Sequence, residues 1–260
     1  MNKRFLIPRS RLRNAIGIAV LMSAAAAASL HQIMRRADRA ALLLADPEVL
    51  LTDRRLSLIA MRRGRPVYLH ACASCHGENG QGDRSRGAPD LTDQEHLYGQ
   101  GHVAEIERIV LHGIRSGDTR GWHLSSMPAF ARRPSEVEAG INPLSPAEVQ
   151  DVTQYLLSLR QRQTDGDAAK RGRLIFTTRG ACYDCHGEDA KGDTAIGGPN
   201  LGDDIWLHGD GSAASIAQSI EAGRAGVCPA FGNSMDAGDV RAVAAFVAAM
   251  PSQLGQGAMR

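Results

Sequence analysis

Aromatic side chains are scarce in this sequence: Phe, Trp and Tyr make up 4% of 260 residues, against 43% for all hydrophobic types. Cores of that composition are filled by aliphatic side chains or by a large planar group that the chain does not encode. An excess of either charge is missing too. The formal net charge is +2, which excludes the broad basic field on which a nucleic-acid binder depends. No apolar/polar alternation runs long enough for a half-buried strand, so the expected fold class is all-α. The glycine-rich stretch GDGSAAS, residues 209–215, has no strand before it and no closing lysine, which excludes a phosphate loop.

Cysteine is sparse but patterned. Cys72 and Cys75 lie in CASCH, Cys182 and Cys185 in CYDCH, and Cys228 stands alone. Each C-x-x-C-H is the attachment signature of c-type haem: one helical turn sets two sulfurs at the edge of the macrocycle and turns His76 or His186 under the iron. The separation of the two Cys pairs is too long for a zinc ribbon, and no βαβ pattern supports a thioredoxin-like pair. The sequence therefore implies two covalently bound haem c groups.

A repeat frames the two motifs. Pro89-Asp90-Leu91 follows the first as Pro199-Asn200-Leu201 follows the second, and Gly64 with Tyr68 precedes the first as Gly172 with Phe176 precedes the second. Each half then offers an amphipathic helix ending in Gly and Arg, and a closing helix. Ser145, Pro146 and Glu148 start one closing helix, with Val149, Val152, Leu156 and Leu159 on its face. Asp236 and Asp239 start the other, with Val240, Val243, Val247 and Met250. The charged stretch RQRQTDGDAAKRGR reads as the linker. The implied domains are 1–34 as signal anchor or signal peptide, 35–57 as a helical stalk, 58–162 as a first haem domain and 163–260 as a second.

The pattern G-x-x-x-Y/F, C-x-x-C-H-G, P-x-L, M-P-A-F and a C-terminal amphipathic helix resembles class I cytochrome c. The second half is similar to the dihaem subunit, subunit III, of cbb-type haem-copper oxidases, and the likeness covers about residues 60 to 250. It implies two tandem cytochrome c domains on a membrane anchor. It also implies Met127, in SSMPAF, as distal ligand to the haem of His76. At the matching place in the second half, GVCPAFG, the family's methionine is replaced by Cys228. Cys228 is the ligand expected for the haem of His186. Met235 is the alternative, although its match to Leu144 before an N-cap makes it a staple residue, and His208 is read as a loop residue. His112, His123, Arg115 and Arg120 are read as solvated loop residues, with propionate or partner contacts as the alternative.

At the N-terminus, Lys3, Arg4, Arg9, Arg11 and Arg13 precede an uncharged run from 14 to 34. A removed signal peptide and an uncleaved anchor both fit, and the Arg-containing continuation favours the anchor, basic end inside. The expected protein is thus an electron-transfer cytochrome on the periplasmic face of a bacterial inner membrane. Its partners would be the lipid bilayer, a soluble redox protein and a terminal oxidase. Two alternatives remain: the electron-accepting subunit of a periplasmic dehydrogenase, and a Cys-ligated haem enzyme or sensor acting on sulfur compounds.

Overall fold

The computed structural model describes residues 9–124, 126–131 and 142–251. Lys3 and Arg4 of the leader lie outside them. Among the described residues the regular structure is helical, with only isolated bridges in place of strands, as the lack of alternation implies.

Helix α1 (Arg9–Leu44) carries the apolar run, and Ile18, Leu21, Met22, Leu30 and Ile33 all stand exposed on it. Its window from Gly17 onward is long and apolar enough to cross a bilayer. The stalk expected as one helix is interrupted. Asp46 caps a 3-10 turn at Pro47–Val49, and Asp53 then caps α2 (Arg54–Ala71), accepting from Leu56 N at 2.8 Å. Pro47 and the two Asx caps stop one helix and start the next. The last turn of α1 folds back onto the globular part, where Leu42 is fully buried.

Six more helices of interest follow the repeat: α3 (Ala73–His76), α4 (Val103–His112), α5 (Pro146–Ser158), α6 (Gly166–Phe176), α7 (Tyr183–His186) and α8 (Ala213–Ala222). The last is α9 (Ala237–Ala248). Helix starts match the sequence signals. Ser145 and Glu148 form the reciprocal box at α5, Glu148 accepting from Ser145 N at 2.8 Å, and Asp236 caps α9 by accepting from Gly238 N at 2.9 Å.

The partners of the closing helices differ from the sequence reading. Helix α5 packs on α6 and α8, and α9 packs on α2 and α4. Each half of the chain therefore closes the other half's unit. At both crossings a glycine lets the backbones touch: a Cβ on Gly64 would collide with the Ala242 carbonyl, and one on Gly172 with the Asp151 carbonyl. Rings pair beside each glycine, Tyr68 with Phe246 at 5.5 Å and Tyr155 with Phe176 at 5.3 Å. Exchange gives each crossing one phenol and one phenyl ring. It also pairs charges: Arg63 bonds Asp236 and Asp239 across α2 and α9, and Arg171 bonds Asp151 across α6 and α5. Because both closing helices carry a side-chain N-cap and the same apolar spacing, local sequence does not distinguish their partners.

Two extended segments cross between the units and pair antiparallel. Ile114 N donates to Cys228 O at 2.9 Å and Cys228 N to Ile114 O at 3.0 Å. Met127 N donates to Arg224 O at 2.9 Å and Arg224 N to Met127 O at 3.0 Å. These two pairs are equivalents under the repeat, which makes the crossing pseudo-twofold.

Candidate haem-binding site

One cavity of about 640 Å³ lies between the units and is lined by both C-x-x-C-H motifs. Helices α3 and α7 are the single turns that bring each cysteine pair and histidine to its wall. The two sites are built alike. His76 Nδ1 donates to Pro89 O at 3.0 Å and His186 Nδ1 to Pro199 O at 2.9 Å. A carbonyl partner holds the proton on Nδ1 and leaves the Nε2 lone pair free to bind a metal. Burial lowers both imidazole pKa values, so both rings are neutral, the form a ligand requires. Backbone bonds brace the loops in parallel, Gly82 N to His76 O at 2.9 Å and Gly192 N to His186 O at 2.8 Å.

Burial acts on four of the thiols too. Burial pushes Cys72 up to about 11 and Cys182 up to about 12, and raises Cys185. Cys228 is pushed up to about 11 by burial and then by the nearness of Cys75.

The sequence pairs Cys228 with His186 and Met127 with His76. In the structure Cys228 lines the same cavity as Cys72 and Cys75, and its backbone pairs with Ile114 of the first unit. Met127 packs on the core of the other unit, the cluster against which Cys182 and Trp206 also pack. The cause is the crossing of the segments that carry them, described above. Met235 packs with Tyr68, Val243 and Phe246, the environment of a staple residue. His208 reaches across to the first unit, its ring against Gly87, as Tyr98 reaches across to Gly197. His112 and Arg120 are both engaged by Asp118, and Arg115 donates to Gly226 O at 2.5 Å and Tyr98 Oη at 2.7 Å.

Sequence reasoning missed a pair beside the second motif. Trp206, on the cavity wall, has Arg160 stacked over its ring at 4.4 Å. The Nε1 of Trp206 and the Nε and Nη1 of Arg160 are buried without a partner. The two residues belong to separate elements of the chain, so local spacing gave no signal.

These residues fit haem c: two thiols and an imidazole with a free nitrogen at each site, with Met127 and Cys228 lining the same cavity. The cytochrome c family model matches residues 61–160, and the model described as cytochrome c oxidase, cbb3-type, subunit III matches residues 167–247. A cbb3-type cytochrome c oxidase subunit FixP of Azorhizobium caulinodans is 37% identical over 217 residues, 83% of this chain and 68% of the relative. The chain belongs to the FixP/CcoP family of cbb3-type cytochrome c oxidase subunits. The CcoP of Azospirillum brasilense is 39% identical over 198 residues, covering 74% of this chain and 62% of that subunit. The CcoP of Rhodobacter capsulatus is 34% identical over 222 residues, 82% and 70% of the two chains. The chain thus spans about two thirds of the length of these FixP/CcoP relatives. Cytochrome c domains of this family imply covalently bound haem c.

Proposed function

We propose that the protein is the haem-bearing relay subunit of a cbb3-type oxidase. It is anchored in the inner membrane by α1, and its two haem c groups face the periplasm. The single observation behind this reading is the paired wall of one cavity, where two neutral imidazoles with free Nε2 atoms each stand beside two thiols. Haem c supplies a one-electron couple when bound. Cys72, Cys75 and His76 would hold one haem together with Cys228, and Cys182, Cys185 and His186 would hold the other together with Met127. Both units exclude water with aliphatic side chains and the glycine-tight helix crossings. The thioether of Met127 favours ferrous iron and raises the potential at its site, whereas a sulfur donor from Cys228 lowers it. The two sites therefore differ in the ligand each half contributes to the other.

The test is electron paramagnetic resonance of the oxidised protein after haem loading. A low-spin signal with the narrow g-spread of thiolate ligation is expected, lost in Cys228→Met. That signal is also expected to vanish in Cys72→Ala/Cys75→Ala, which removes the haem of His76. If the thiolate signal survives loss of that haem, the exchanged ligand assignment is wrong. Two haems per chain by pyridine haemochrome is the expected stoichiometry.

A further inference from the structure

The uncharged run of α1 covers residues 14–34. At a rise of about 1.5 Å per residue it spans about 30 Å, the thickness of a bilayer's hydrocarbon core. Arg35 and Arg36 follow at once, both exposed and without a carboxylate partner among the described residues. The positive-inside rule puts basic residues at the other end of such a span, so these two arginines need another reason. Asp38 comes one turn later, about 6 Å beyond Met34. There the helix meets the globular part: Asp38 pairs with Arg62 of α2, and Arg39 with Asp236 at 2.8 Å. The headgroup layer is itself about 5–7 Å deep on each side of a bilayer. Arg62 is thereby held at the level of the lipid phosphates. Arg55, Leu58, Arg62, Arg65 and Leu69 are spaced by threes and fours, so they share one stripe of α2. The opposite face, with Ile59, Ala60, Gly64 and Tyr68, is buried. The stripe is open to solvent, Leu58 at 64% and Leu69 at 37% exposure, and Arg55 and Arg65 have no carboxylate partner among the described residues.

We propose that the exposed stripe of α2, together with Arg35 and Arg36, is a second membrane contact that binds the headgroups of anionic phospholipids. Arg35, Arg36, Arg55, Arg62 and Arg65 face only the carboxylate of Asp38, which leaves a net positive surface complementary to phosphate. A guanidinium also offers paired N–H groups to phosphate oxygens. The two leucines between the arginines suit the boundary between headgroups and acyl chains, where apolar side chains enter and arginine stems reach back to the charged layer. The contact continues the surface that α1 buries in lipid, since one helical turn separates the end of the apolar run from the ion pair that holds α2. It rests on the reading of α1 as an anchor. A lone helix would leave the haem units free to swivel about its axis. With the α2 stripe on the bilayer, the unit built on α2 and α9 presents one fixed side to the membrane.

The experiment puts the photo-crosslinking residue p-benzoylphenylalanine in place of Leu58 in the haem-loaded full chain. The chain is reconstituted in nanodiscs of phosphatidylcholine with a minor share of phosphatidylglycerol. Irradiation should give lipid adducts at position 58, enriched in phosphatidylglycerol over the bulk mixture. The same residue in place of Leu174, equally exposed at 64% but on α6 of the other unit, should give none. Arg55→Gln and Arg65→Gln should each lower the enrichment about fivefold, the effect of one charge near an anionic surface. Arg65→Lys should keep most of it, and high salt should erode it in the wild-type surface. Lipid adducts without enrichment, unchanged by Arg65→Gln, overturn the anionic headgroup as partner. Adducts to a second copy of the chain, or no adduct at position 58 in protein that has entered the disc, overturn the membrane contact itself. Should Arg65→Gln fail to fold, Arg55→Gln and Arg65→Lys decide by the same ratio. A chain that does not enter nanodiscs at all would instead sink the anchor reading.

Discussion

At the two helix crossings the chain has no room for a single methyl group. Gly172 sits where a Cβ would overlap the Asp151 carbonyl, and Gly64 where one would overlap that of Ala242. Backbone cannot retreat as a flexible side chain does, so Gly172→Ala is expected to cost about 1–3 kcal/mol as an overpacked contact, read as a lower denaturation midpoint at unchanged haem stoichiometry. Single residues were also where the sequence was most informative. The C-x-x-C-H spacing named Cys72, Cys75, His76, Cys182, Cys185 and His186 because thiol and imidazole chemistry demands that spacing. Cys228 and Met127 were legible as equivalent positions, since both precede Pro-Ala-Phe. Which unit each packs into was not, because that depends on the path of the chain in space. Arg160 was invisible for a different reason: its unpartnered N–H groups stand out only once it is buried.

Elements repeat this division between local and distant information. Caps at Ser145 and Asp236 follow from residues within one turn, and the structure has them where the sequence puts them. The choice of partner for each helix follows from ring pairing and from Arg63 and Arg171 finding their carboxylates, which are contacts at long range. The crossing segment after α4 has its own electrostatic brace. Asp118 accepts from Arg120 Nε and Nη2 and from His112 Nδ1, and the Arg120 guanidinium, first among these, holds its carboxyl well below the usual carboxylate range. A depressed folded-state value adds stability above the unfolded Asp value of about 3.9, and that stability is lost as the pH falls toward the folded value. Wild type should therefore melt above Asp118→Asn at about pH 5, and the two midpoints should converge toward about pH 2. A gap that stays constant over that range would mean the carboxylate's charge is not what holds the turn.

On the scale of the whole molecule, the two units cannot be pulled apart by cutting the linker. A protease site placed at residues 161–164, between α5 and α6, would leave α5 on α6 and α9 on α2. The nicked, haem-loaded protein should elute from gel filtration as one particle and separate only in denaturant. Tandem domains closed by their own helices would separate once the anchor is solubilised. The anchor end of the molecule is equally defined: Arg39 bonds Asp236, and Arg241 bonds Glu107 and the carbonyls of Leu42 and Ala45. The stalk is thereby fastened to the unit that holds Cys228. Traced in chain order, the exchanged halves have a simple description. The described residues between Met127 and Arg224 run ligand loop, closing helix, opening helix, haem motif, amphipathic helix. That is a circular permutation of the order its own sequence repeat suggests, inserted into the loop of the other unit. Synthesis from the N-terminus would then complete the inner pocket while the outer one, opened at residue 72, still waits for residue 228.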